Sequence, residues 1–137
     1  MKSYLVDTGP LVAYLNRRDE AHESVKQFLR QLKGHLATTN AVISEVMYFV
    51  SEHSSGPFSF AQFLLASRMH ISDMCQPTQV HEAVGLMSRY SDIPMDFADA
   101  TLVLLGDAMG TTDILTLDRR GFSTYRTAKG KTFHIVG

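Results

Sequence analysis

The sequence predicts an α/β protein: a central, mostly parallel sheet of short strands flanked by helices. Short apolar runs recur along the chain, each closed by polar or turn-forming residues. Segments with apolar residues at helical spacing separate them, and no repeat, linker or low-complexity tract interrupts the alternation. Short strands alternating with helices build a parallel sheet covered on both faces. The 137 residues suit one compact domain spanning 1–137.

Ser3-Tyr4-Leu5-Val6 reads as the first strand, ended by Asp7-Thr8-Gly9-Pro10. Pro10 suits a helix start, where its missing N–H would be unpaired anyway, and a short helix from Leu11 to Asn16 follows. Asp19 opens the next, with Ala21, Val25, Phe28, Leu29 and Leu32 at helical spacing and Gly34 as its stop. Leu36 to Thr39 is the second strand. Asn40 caps a helix from Ala41 to about His53, and Ser54-Ser55-Gly56-Pro57 breaks it. Ser59 opens a helix through Met69, and Ile71 to Met74 reads as a strand. Pro77-Thr78 leads into a helix through about Tyr90, and Pro94 precedes one from Met95 to Met109. Asp113 to Leu117 is a strand that stops at Asp118. Lys131 to Val136, alternating in character, suits an edge.

Composition narrows the function classes. Apolar residues make up 45% of the chain, enough for a core. A net charge of −1 argues against a nucleic-acid binder that works by phosphate neutralisation alone. It is no obstacle to an enzyme whose phosphate contacts are metal ions. The sole cysteine, Cys75, excludes an internal disulfide and a thiolate metal cluster, and fits a reducing cytoplasm. No run approaches the ~18 apolar residues of a membrane span, so a soluble protein is expected. His22, His35, His53, His70, His81 and His134 show no zinc-type spacing and read mostly as solvated or helix-end residues.

The acids are more telling. Asp7 and Asp118 close apolar strands, and ligands of open α/β sheets bind beyond the carboxyl ends of the strands. Each also has an ordinary reading, Asp7 as a helix cap and Asp118 as a turn residue. Glu45 has Ala41 and Val42 behind it and Tyr48 and Phe49 ahead on one helix face, an apolar stripe where a carboxylate needs a cation, a proton or strong hydrogen bonds. The other reading places Glu45 at the wet rim of the stripe. Asp96 and Asp99 share a face near a helix start. Interaction with the helix terminus accounts for Asp96 comfortably and for Asp99, among Met95, Leu102 and Val103, much less well. Converging these carboxylates without basic partners is unfavourable unless divalent cations neutralise them, and oxygen-only ligands favour Mg²⁺ or Mn²⁺ over zinc. Such ions hydrolyse phosphodiesters. Arg119 and Arg120, directly after Asp118, are candidate phosphate contacts.

The order Asp7-Thr8-Gly9-Pro10-Leu11, Glu45, Asp96-Phe97-Ala98-Asp99-Ala100 and Leu115-Thr116-Leu117-Asp118-Arg119-Arg120-Gly121-Phe122 resembles a PIN domain over essentially the whole chain. It is similar above all to the VapC-type toxins of toxin–antitoxin pairs. The resemblance implies a three-layer α/β/α fold and a Mg²⁺- or Mn²⁺-dependent endoribonuclease acting on single-stranded RNA. It also implies an antitoxin partner and a homodimer. By it, Asp7 and Asp99 match the core metal ligands and Glu45 and Asp118 the other acids of the site. Thr116 matches a supporting hydroxyl, with Thr8 beside Asp7, and Asp96 is an added acid seen in some members. The segment Phe58-Ser59-Phe60-Ala61-Gln62-Phe63-Leu64-Leu65 is the expected dimer contact. The competing readings are a PIN-like module that binds RNA or protein without cutting, and a DNA-directed metal nuclease. Asp7-Thr8-Gly9 also spells an aspartic protease signature, which the helical periodicity opposes. Gly9 opposes a haloacid dehalogenase-type phosphatase, which wants an acid there.

Overall fold

The computed structural model describes residues 1–137. Five strands, β1 (Ser3–Val6), β2 (His35–Thr39), β3 (His70–Ser72), β4 (Asp113–Leu115) and β5 (His134–Val136), form one sheet in the order β3-β2-β1-β4-β5. Every pairing is parallel, with Leu5 opposite Ala37 on one side and opposite Ile114 on the other. The helices are α1 (Thr8–Leu15), α2 (His22–Gln31), α3 (Asn40–Val50), α4 (Gly56–Ser67), α5 (Pro77–Arg89), α6 (Phe97–Met109) and α7 (Arg119–Thr124). They flank the sheet in a three-layer α/β/α arrangement, as the sequence predicts.

From β1 the chain moves outward through β2 to β3, then returns to the other side of β1 as β4 and β5. The strand order therefore reverses at β1, and a crevice is expected beyond the carboxyl ends of β1 and β4. Leu5, Val6, Ile114 and Leu115 are buried in the centre of the sheet. Val42, Val46 and Val50 of α3 and Leu102, Val103 and Leu105 of α6 are buried in the same core. A hydroxyl relay joins these two helices. The Val42 N–H donates to Thr39 Oγ1 (3.2 Å), the Thr39 hydroxyl donates to Thr101 Oγ1 (2.8 Å), and Thr101 donates to the Ala98 carbonyl (2.7 Å). All three buried groups are thereby satisfied, and α3 is fixed against the first turns of α6.

Several expected boundaries move. β4 ends at Leu115 rather than Leu117, and the following residues form α7, which is absent from the sequence reading. α6 starts at Phe97, because Asp96 is its cap and accepts from the Asp99 N–H. Thr39 rather than Asn40 caps α3, and Asn40 instead reaches across to Asp73 and Met74. β3 covers His70–Ser72 instead of running to Met74, and β5 contracts to His134–Val136. Before β5, Thr132 makes an isolated antiparallel bridge to Arg126. Asp19 caps the turn at Ala21 and α2 begins only at His22. His22, the first residue of α2, is buried: its Nδ1 hydrogen-bonds the Ala13 carbonyl at 2.9 Å, and its ring stacks on Tyr14. No helix is long and apolar enough to cross a membrane.

Candidate active site

Asp7 lies one residue past β1, where its N–H extends the ladder to the Leu115 carbonyl at 3.0 Å. Both its carboxylate oxygens are held. Oδ1 accepts from the Thr8 N–H at 2.8 Å and Oδ2 from the Thr116 hydroxyl at 2.7 Å. Thr116 Oγ1 in turn accepts from the Asp118 N–H at 3.0 Å, so one hydroxyl ties the loops after β1 and β4 together. Asp118 caps α7 through the Gly121 N–H at 3.0 Å. On α6, Asp96 and Asp99 form a reciprocal capping box, each carboxylate accepting from the other's backbone N–H (2.8 and 3.2 Å).

The electrostatics set Asp7 and Asp99 apart. Both are buried, at 7% and 8% exposure. Burial raises Asp7 to a pKa of about 6 against the opposing pull of Thr116 and Thr8, with the charges of Asp96 and Glu45 adding to the rise. Asp99 is raised to about 9 by burial first, then by the charges of Asp7 and Asp96. Like charges in low dielectric disfavour joint ionisation. No cation relieves them: the ion pairs of the protein, Lys2–Asp113 and His134–Asp113, lie at the start of β4.

The other predicted residues fall around this pair. Asp96 is exposed, yet its charge reaches both buried acids. Glu45 is half-buried on α3, and its charge reaches Asp7. It does not project into a buried stripe, because the core face of α3 is Val42, Val46 and Val50. Tyr48 and Phe49 beside it are 73% and 44% exposed. Asp118 is half-buried and engaged as a cap. Arg119 and Arg120 are exposed on α7. Arg119 donates to the Gly137 carbonyl at 3.5 Å, and Arg120 accepts from Ser123 and Thr124 through its carbonyl. Thr8 lies beside Asp7 with its Oγ1 buried and without a hydrogen-bond partner.

Tyr125 was missed by the sequence reading. Its ring is fully buried, packed edge-on against Phe122 and Tyr90, and its hydroxyl donates to the Pro94 carbonyl at 3.1 Å. Burial and the charges of Asp99, Asp118, Asp96 and Asp7 hold that hydroxyl protonated. A Cβ on Gly121 would collide with the Asp118 carboxylate and lie 2.9 Å from the Tyr125 oxygen, so only glycine lets these groups pack together. The signal was available only once α7 was recognised: Gly121, Phe122 and Tyr125 then share one face.

A family model of the PIN domain matches residues 4–128. The chain belongs to the PIN-domain family. Ribonuclease VapC26 of Mycobacterium tuberculosis is 28% identical over 134 residues, covering 96% of this chain and 98% of that protein. The crystal structure of Mycobacterium tuberculosis VapC20, a toxin that cleaves the sarcin-ricin loop, superposes with a TM-score of 0.76 at 19% identity. It covers 85% of this chain and 90% of its own. VapBC2 of Rickettsia felis, solved with a DNA fragment from its promoter, gives 0.66 at 14% identity over 98% and 99% of the two chains. These likenesses bear out the PIN fold and a VapC-type kinship.

The donors of this PIN domain suit a hard divalent cation that keeps part of its water. No three Asp, Glu, His or Cys side chains stand close enough to enclose an ion together. A Mg²⁺-type site uses one or two carboxylates and leaves other positions to water and phosphate. Asp7 and Asp99, buried and without a counter-charge, meet that need. The unpartnered Thr8 hydroxyl marks the same place as short of a polar contact.

Proposed function

We propose that this PIN domain is a VapC-type toxin ribonuclease that hydrolyses phosphodiester bonds of single-stranded RNA with Mg²⁺ or Mn²⁺. The observation that carries the proposal is the Asp7–Asp99 pair: two buried carboxylates at the strand-order reversal, both raised by burial and Asp99 further by the charge of Asp7, with no cationic side chain paired to either. The VapC relatives support the choice of substrate. Asp7 and Asp99 would hold a divalent ion, which when bound would supply charge neutralisation for the phosphodiester and an acidified water. The protein's part is to place the ligands. Thr8 and Thr116 fix both oxygens of Asp7, the Asp96 N–H holds Asp99, and the charges of Asp96 and Glu45 reach the pair. Arg119 and Arg120 serve at most as outlying phosphate contacts, since Arg119 is turned to Gly137.

A cytoplasmic antitoxin is the proposed regulator, as a VapBC pairing would require. A homodimer is proposed through α4, where Phe58 and Leu65 are 69% and 77% exposed. Purified protein should cut single-stranded RNA with Mn²⁺ and stop with EDTA, and Asp7→Asn should be inert while keeping its fold. Full cleavage by Asp7→Asn at matched purity would overturn the assignment.

A further inference from the structure

Ala41, Glu45, Tyr48 and Phe49 form a second face of α3, turned away from its valine face. Tyr48 and Phe49 stand edge to face, with ring centroids 5.5 Å apart, at the most exposed part of that helix. Together with Glu45 on α3 and Phe97 and Ala98 of α6, they line a depression of about 400 Å³. Phe97 and Ala98 are the two residues between Asp96 and Asp99, so the depression opens beside the acids. Phe49 is also a wall of a second, larger depression of about 690 Å³, lined besides by Arg17, Arg18 and His53 and by one carboxylate, Glu52. Neither arginine pairs with a carboxylate, since the protein's ion pairs involve only Lys2, His134 and Asp113. Arg17 and Arg18 follow α1, whose other end begins at Asp7, so a helix of eight residues, about 12 Å, separates acid from cation.

A single exposed aromatic means little. Here acids, two aromatic faces and two unpaired guanidinium groups follow one another along adjoining depressions that share Phe49. Cations that track phosphates and aromatic rings that stack bases are the two components of a single-strand site. We infer that the substrate strand leaves the acids over α3, with one base stacked on Tyr48, the next on Phe49 and the following phosphates on Arg17 and Arg18. This deepens the ribonuclease reading and rests on it for the nature of the strand. It places the phosphate contacts on the α1–α2 loop, opposite in the chain to the Arg119-Arg120 pair that the sequence favours.

The test uses the Asp99→Asn chain with Mn²⁺, so that binding is read without cutting, and a fluorescent ten-nucleotide RNA of mixed sequence as probe. Phe49→Leu and Tyr48→Ser should each weaken binding about tenfold with an unchanged salt slope, as loss of stacking does. Arg17→Gln with Arg18→Gln should lower the slope of log affinity against log salt by about 1.4, two contacts at ~0.7 each for a single strand. Tyr48 is too exposed for its loss to unfold the chain, so it carries the test should Phe49→Leu melt early. Unchanged affinity and slope in all these variants would overturn the inference and assign the groove to a partner protein. Absence of binding by the Asp99→Asn chain would overturn it too. Cleavage by the unmodified chain is measured alongside: if it cuts RNA while the variants bind normally, only the inferred path fails. If it never cuts while the variants behave as expected, the path stands and the ribonuclease reading falls.

Discussion

Helices α4 and α6 are both apolar along much of their length, yet the protein treats them oppositely. On α6, every residue from Ala98 to Gly106 is buried, Asp99 included. On α4, only Phe60 is buried, while Phe58 and Leu65 project into solvent. The difference lies in what each helix meets. α6 packs on α5, α3 and β2 and is tied to β2 by the Thr39–Thr101 bond. α4 packs mainly on α3 and α1. Apolar content therefore states what a helix can bury, and its neighbours decide what it does bury. A carboxylate on the enclosed helix acquires a strongly raised pKa, whereas Phe58 on the open one contributes nothing to the core.

The contrast is sharpest in function. Asp99→Asn, on the enclosed helix, should reduce Mn²⁺-dependent RNA cleavage by about a hundredfold or more, beyond the usual loss for residues that only support a metal ligand. Phe58→Ser with Leu65→Ser, on the open helix, should leave single-site turnover within a factor of about two. Comparable losses from both would mean that α4 belongs to the active site and would dissolve the distinction.

Stability should divide α4 against itself. Phe60→Ser is expected to cost about 3–5 kcal/mol in urea unfolding, the range for emptying a buried aromatic site. Phe58→Ser should fall within about 0.5 kcal/mol of the parent. Phe60→Ser is consequently no probe of dimerisation, whatever the apolar pattern of Phe58 to Leu65 implies. Phe58→Ser with Leu65→Ser is, and light scattering should find it monomeric where the parent is a dimer. A parent that is monomeric at micromolar concentration would refute the dimer itself.

The enclosed helix should also give the metal-free protein an inverted pH dependence. Asp7 and Asp99 are raised from 3.8 to about 6 and about 9, so the folded state binds more protons than the unfolded state between those values. Their contribution is complete below pH ~4 and is lost as pH rises, through about 6 for Asp7 and about 9 for Asp99. For Asp7 alone the loss is at most about 3 kcal/mol, at 1.36 kcal/mol per pKa unit. In EDTA, the melting temperature should fall from pH 5 to pH 9, and Asp99→Asn should flatten that fall and melt no lower than the parent at pH 8. A steeper fall in Asp99→Asn would show that the pair does not repel.

Much of this was legible in the residues. Tyr4-Leu5-Val6 before Asp7 reads as an inner strand, and Asp99 stands among apolar neighbours; its part in the capping box with Asp96 was not foreseen, since the helix start was placed at Met95. The sequence left Glu45 between a buried stripe and its rim because α3 is apolar on two faces: Val42, Val46 and Val50 on one, Ala41, Tyr48 and Phe49 on the other. Periodicity alone cannot choose between such faces, and packing against α6 does. α7 escaped because its polar six residues, RRGFST, carry no periodic signal. With α7 unseen, Tyr125 and the glycine that admits it stayed hidden too. The burial of His22, at the start of α2, stayed hidden because nothing local announces the Ala13 carbonyl that binds it.

The hydroxyl relay between α3 and α6 has a direction, and direction makes its two threonines unequal. Protons point from Val42 through Thr39 and Thr101 to Ala98, so each oxygen accepts once and donates once. Valine at 101 strands the proton of Thr39 but leaves Val42 capped. Valine at 39 removes the acceptor from Val42 and leaves Thr101 still donating to Ala98. Once position 101 is valine, the hydroxyl at 39 has lost half its use, and the cost of replacing it changes accordingly. The two positions, 62 residues apart in the chain, should thus be inherited as a pair rather than drift separately.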